Sequence, residues 1–304
     1  MENADSRPPM PLNTDVLGLE FEPRTVEVTP RMMLAYAAGI GEVGDYTFDD
    51  SSVRFTAPRS FCASLEWPVI SEARNRSSFG LTPEERLRGV HVEQNSIFHG
   101  LIRAGDRLRT SASVVSLRST SAGALAVYKL TTMDASDGAP IVTTWYATIF
   151  RDVELAGAGG EIEAPPRDES AAGPFDHEIG IPIPTEAAHV YTECSGIWNP
   201  IHTEKRVAQR AGLSGILLHG TALWAIAGRE LVAQFAEGNP ACLLRLRARF
   251  RKPVAPGSIV WLRWAESRGE VRFAIETKGG EVAVSDGYAS FARSRISKGE
   301  SDVV

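Results

Sequence analysis

Between Thr221 and about Ala236 the chain reads TALWAIAGRELVAQFA, with apolar residues that include Ala222, Leu223, Ile226, Ala227, Leu231, Val232 and Phe235. The steps are those of a helix, and no proline interrupts them. Apolar residues cover one side and much of the rest, which predicts a largely buried helix. Shorter helical patterns lie at Arg31–Gly41 (RMMLAYAAGIG), Arg59 to about Ala73, and in AAHVYTECSGI from Ala187. Elsewhere the alternation is that of strands. RAGDRLRTSASVVSL and GAPIVTTWYATIFR in the first half are answered by APGSIVWLRWAESRG and VRFAIETKGGEVAVSDGYASFAR in the second.

The two halves keep the same order of patterns. When Tyr36 is laid on Tyr191, Gly41 falls on Gly196. An internal duplication is the economical reading. Each copy then holds a short helix, a longer helix and several antiparallel strands. One buried helix wrapped by a curved antiparallel sheet is an α+β layout. The stretch after Asp152, rich in Gly, Ala, Pro and acids, reads as a linker. The expected organisation is a disordered tail (1–15), a first unit (16–152), the linker (153–178), a second unit (179–294) and a second disordered tail (295–304).

Composition narrows the function. Of 304 residues, 43% are hydrophobic and 23% charged, and the net charge is −6, which argues against a general nucleic-acid binder. Cys62, Cys194 and Cys242 are far apart. They suggest neither a disulfide framework nor a zinc site, and fit a reducing compartment. The polar, proline-rich N-terminus does not resemble a signal peptide, and no apolar run approaches the length of a membrane span. The expectation is a cytoplasmic protein without a membrane partner. No dinucleotide motif or metal-ligand cluster occurs, so no metal or redox cofactor is implied.

The chemistry concentrates in SGIWNPIHTEKRVAQRAGLSGILLHG, Ser195 to Gly220. Ser195, Gly196, Asn199, Pro200, Ile201, His202, Ala208, Gly212, His219 and Gly220 resemble the signature of the MaoC-like, R-specific enoyl-CoA hydratases and 3-hydroxyacyl dehydratases. YAAGIGEVGDY, TAPRSF and GVHVEQNSIFHGLIRAGDRL in the first half resemble the degenerate first unit of the members with two hotdog folds. The resemblance implies a double hotdog. Its second half would hold the active site, and its first half would supply much of the acyl tunnel. It also implies a CoA or acyl-carrier thioester as substrate, with a homodimer as the family habit.

The residues themselves suit this chemistry. His202 is a sensible general base and acid, since imidazole titrates near working pH. The Gly220 N–H, at the start of the long helix, suits an oxyanion, and the glycine would let substrate approach closely. Asn199 could orient the ring or the water. His219 would shape the turn that presents Gly220. Trp198 is as readily core as tunnel wall. Arg245 and Arg247, with Arg249 and Arg251, share one face of a strand. That face is either solvated or a landing site for phosphates. His91, Glu93, Gln94 and His99 are explained adequately by a loop rim, with a tunnel-lining role as the second reading.

One position departs from the resemblance. The family pattern places an acid two residues before its asparagine, and here that place is Ile197. Either His202 acts alone, or another carboxylate such as Glu193 or Glu204 substitutes, or hydratase activity is absent. Glu42 and Thr47 occupy the equivalent places of the first half, which looks catalytically empty. The alternatives are a non-catalytic subunit that binds acyl ligands or pairs with an active partner, and a hotdog thioesterase. The thioesterase would have to use Glu230, more than two turns from Gly220.

Overall fold

A computed structural model describes residues 10–168 and 173–292 of the chain. The strands are β1 (Glu20–Glu27), β2 (Gly89–Phe98), β3 (Arg107–Thr120), β4 (Gly123–Asp134), β5 (Pro140–Arg151), β6 (Gly160–Glu161), β7 (His177–Pro182), β8 (Leu243–Phe250), β9 (Ile259–Ser267), β10 (Glu270–Thr277) and β11 (Val282–Phe291). The helices are α1 (Pro30–Gly39), α2 (Asp45–Phe48), α3 (Cys62–Asn75), α4 (Pro83–Arg86), α5 (Ala187–Ser195), α6 (Lys205–Arg210) and α7 (Gly220–Ala236).

The strands form a single sheet in the order β1-β3-β4-β5-β2-β8-β11-β10-β9-β7, with β6 added beside β3. The order is a palindrome of two five-strand units joined through β2 and β8. β1, α1, α3 and β2–β5 repeat as β7, α5, α7 and β8–β11. The duplication is therefore present in the topology. It is also present at single residues. Gly41 and Gly196 both have left-handed backbones, with φ of 68° and 71°, and the Tyr36 and Tyr191 rings meet with centroids 6.1 Å apart.

The long helices lie on the inner face of the sheet. Burial of Trp224, Leu231, Val232 and the alanines of α7 explains why that helix is apolar nearly all round. The Trp224 indole donates to the Leu246 carbonyl at 3.2 Å. A side chain at Gly228 would collide with Leu246, its first carbon falling 2.7 Å from Cδ2. One apolar cluster takes residues from both halves, including Tyr36, Phe61, Tyr191 and Trp224.

The expected N-terminal tail needs correction. Leu12 is fully buried, its N–H donates to the Glu154 carbonyl, and Thr14–Val16 form a helical turn. An apolar pair, Leu12 and Val16, outweighs the polar composition around it. Residues 1–9 and the expected tail at 295–304 lie outside the described residues. The linker is also held. β6 pairs with β3, and Asp168 binds Arg245 and Arg247. Among the described residues no helix is long and apolar enough to cross a membrane.

Candidate active site

The loop after α5 is built to turn His202 inward. Gly196 ends α5 in a conformation that costs a side-chain-bearing residue energy. Ser195 ties the end down: its hydroxyl donates to the Tyr191 carbonyl and accepts from Ile197 N–H at 3.1 Å. Asn199 then caps the short helical turn Pro200–His202, its Oδ1 accepting from Ile201 N–H at 3.4 Å. Asn199 thus positions the turn rather than bonding to the imidazole.

His202 is buried, and its Nδ1 lies 2.8 Å from the Leu217 carbonyl oxygen. A carbonyl only accepts, so Nδ1 carries the proton and the neutral ring keeps its lone pair on Nε2. His219 stacks on it, with centroids 3.7 Å apart and planes inclined by 25°. The His219 Nε2 lies 3.2 Å from the Ile197 carbonyl, which makes that nitrogen the donor. The His219 Nδ1 is buried without a partner. Burial pushes the His202 pKa down to about 4; the Leu217 contact opposes this and the charge of Arg74 adds to it. His219 is also held well below the usual histidine range, by burial and then by His202. Two stacked, buried imidazoles cannot both take up a proton cheaply.

Gly220 opens α7, and no side chain caps that end. Its first N–H groups are left for an acceptor. The fold adds its own reason for glycine here. A side-chain carbon here would fall 3.0 Å from the Phe250 ring. The space is needed by the protein's own aromatic.

Ile197, Asn199, His202, His219 and Gly220 line a single cavity of about 380 Å³. The first half contributes Glu66, Arg74, His91, Gln94 and Tyr146 to the same cavity. The Phe250 ring links the two sides, since it packs on Gly220 and lies 4.9 Å from the His91 ring. His91 in turn stacks on Tyr146 at 3.7 Å. Burial takes His91 down to about 3. Arg151, Arg251 and Lys252 stand at the exposed end.

Several expected residues are elsewhere. Trp198 is 57% exposed and does not line the cavity. Arg245 and Arg247 are not a landing site. Arg245 Nε donates to Asn95 Oδ1 at 3.0 Å, Arg247 Nε to Glu93 Oε1 at 2.8 Å, and both pair with Asp168. Their guanidinium groups are spent on joining the halves and the linker. The face is solvated only toward its far end, since Arg245 is buried while the Arg249 and Arg251 side chains are 40% and 47% exposed. His91, Glu93 and Gln94 belong to β2 at the centre of the sheet, not to a loop. Glu193 and Glu204 are exposed and away from the cavity. Glu230 pairs with Arg229 and is also absent from its walls. Glu42 and Thr47 line a separate remnant of about 20 Å³, together with Arg59 and Arg229. Among the described lining residues Glu66 is the one acid, and no three His, Cys, Asp or Glu side chains cluster as metal ligands would.

A duplicated helix-in-sheet fold, with an imidazole and an uncapped helix start lining one cavity, defines a hotdog protein. Comparison with known proteins agrees. Residues 168–286 match the MaoC like domain, and residues 15–144 match the FAS1-like dehydratase domain region. The chain is 28% identical over 300 residues to a Mycobacterium tuberculosis protein named 3-hydroxyacyl-thioester dehydratase Y, covering 93% of this chain and 99% of that one. A MaoC-like dehydratase structure from Phytophthora capsici superposes with a TM-score of 0.80 at 22% identity, covering 93% and 99% of the two chains. A double-hotdog structure from M. tuberculosis, Rv0216, gives 0.59 at 14% identity, covering 91% and 96%. The second half thus carries a MaoC-like domain and the first half a dehydratase-region domain, together in a double-hotdog fold.

Proposed function

We propose that the protein adds water to a 2-enoyl thioester, or removes it from the 3-hydroxyacyl thioester, with His202 moving both protons. The observation that carries this is the His202 tautomer: its Nδ1 is committed to Leu217, leaving a bare Nε2 on a residue that shares a cavity with the start of α7. In hydration, Nε2 takes a proton from water as the water oxygen bonds to C3. The electron pair of the double bond moves through C2 to the thioester oxygen, held at the Gly220 N–H. The imidazolium then returns a proton to C2. A histidine held near pKa 4 is a modest base but gives its proton up readily, which suits the return step. Dehydration is the same path reversed.

Ile197 supplies no carboxylate beside His202, so the single imidazole serves both transfers. His219 braces it through ring stacking and Asn199 through the turn. Arg151 and Lys252 suit the phosphates of CoA or of a carrier's phosphopantetheine, in place of Arg245 and Arg247; Arg251 beside them already meets Ser285 and Asp286.

The test is the ultraviolet absorbance of the conjugated enoyl thioester, followed with wild type and His202→Ala on short, medium and branched acyl-CoA substrates. Turnover by wild type that falls roughly 10²–10⁴-fold in His202→Ala is expected. Silence of wild type and Ile197→Asp on every substrate would overturn the reading. Silence of wild type with activity in Ile197→Asp would show a binding protein on a hydratase frame.

A further inference from the structure

Two polar side chains, Glu66 and Gln94, interrupt a buried cavity lining that is otherwise largely apolar, with Ala63, Ile70, Leu218, Leu223 and Ala283 around them. Burial marks which end is inner. Leu87, Val90, Arg151 and Lys252 are exposed, whereas Ala63, Glu66 and Gln94 are all but inaccessible. Glu66 comes from α3, and Gln94 from the strand at the junction of the halves.

These side chains form a closed set of hydrogen bonds. The Gln94 amide nitrogen donates to Glu66 Oε2 at 3.0 Å and reaches Ser96 Oγ at 3.3 Å. Ser96 and Thr144 share a hydrogen bond of 2.8 Å, and Thr144 donates to the other oxygen of Glu66. With Glu66 as the acceptor, the set orients the amide with its nitrogen toward the carboxylate. The amide oxygen is then left over. Gln94 Oε1 is fully buried and has no partner. A buried acceptor without a donor is costly and uncommon in a finished protein. Here it belongs to a residue that lines the substrate cavity.

We infer that the inner end of the cavity is a subsite for a hydroxyl group carried by the acyl chain, with Gln94 Oε1 receiving its hydrogen. The inference rests on the thioester reading above and adds the class of acyl group. A neutral donor fits better than an ammonium, because Arg74 lines the same cavity and carries no carboxylate partner among the described residues. Glu66 holds the amide in place: each of its oxygens already accepts from this framework, whereas Gln94 Oε1 has no donor at all. Burial pushes its pKa up, while the hydrogen bonds from Thr144 and Gln94 act in the opposite direction and favour the carboxylate.

The experiment compares 2-enoyl-CoA substrates of four to eight carbons with their terminally hydroxylated counterparts. Wild type should favour one hydroxylated chain over its plain counterpart by at least about tenfold in kcat/KM, as sites built to bind a hydroxyl do. Gln94→Leu should remove that preference, chiefly by raising KM for the hydroxylated chain. Wild-type preference needs no variant, so a misfolded Gln94→Leu does not spoil the test. Turnover with equal or better rates on every plain chain would overturn the inference and show that water fills the inner end, while leaving the thioester reading intact. No turnover at all would sink hydration as the reaction and leave thioester binding to be tested by itself. Calorimetric binding of the saturated hydroxylated and plain acyl-CoAs would then decide the subsite by the same tenfold margin.

Discussion

At the scale of single residues, two side chains carry most of the consequences. His202 stays neutral in the folded protein down to about pH 4, because burial opposes its charge. In the unfolded chain it takes up a proton below about pH 6.5. Between those values the unfolded state binds more protons, so stability falls as pH drops through the window, by up to roughly 3 kcal/mol. His219, displaced in the same direction, steepens the fall. Denaturant melts of wild type and His202→Gln between pH 4 and 7 should show the smaller slope in the variant. The acid limb of kcat/KM should likewise lie nearer pH 4 than 6.5. Gly220 is the second case. Gly220→Ala sets a methyl 3.0 Å from the Phe250 ring. Overpacking of this kind costs about 1–3 kcal/mol, and the displaced helix start should lower kcat by at least about tenfold. Thermal melts and the absorbance assay read the two effects separately.

At the scale of elements, the α5 terminus tests whether local backbone geometry aims the site. A side chain at Gly196 meets nothing within 4 Å, yet the backbone has φ of 71°. Gly196→Ala therefore adds strain without a clash, expected at about 1–2 kcal/mol in urea melts. If the cost is near zero, the turn has room to relax and does not hold His202. Most elements were legible from pattern alone. The helix expected from Thr221 begins one residue earlier and ends at Ala236 as read. Arg31–Gly41 appears as Pro30–Gly39 and the Arg59–Ala73 pattern as a short turn plus Cys62–Asn75. β2 was not legible. Its GVHVEQNSIF segment is polar on both faces, because Glu93 and Asn95 meet arginines outside while Gln94 and Ser96 meet Glu66 and Thr144 inside. Period-two reading needs one face to be apolar.

At the scale of the molecule, the halves share a sheet and a core, so they should unfold together. Calorimetry is expected to show one cooperative transition, and two resolved transitions would contradict a shared core. Asp168 is the tie to weaken. Asp168→Ala leaves Arg245 and Arg247 short of their linker partner, at a cost of roughly 3 kcal/mol for a largely buried pair. Its kcat/KM should change little, since neither arginine lines the cavity. A large rise in KM instead would return these arginines to the substrate.

The sequence by itself determined the local structure, the duplication and the residues of the His202 loop, because each is written in short-range spacing. Helical and strand periods repeat within a few residues, and the turn around Asn199 and Pro200 bonds to its own neighbours. Tertiary structure alone decided what faces the cavity from the other half. Glu66 and Gln94 are 28 positions apart, and Gln94 is more than 100 from His202. Only the pairing of β2 with β8 brings them to one wall. The same pairing turned one end of the arginine stripe, Arg245 and Arg247, from an open surface into an internal joint. A side chain's period says which face it takes, but its partner across the sheet decides whether that face meets solvent, protein or substrate.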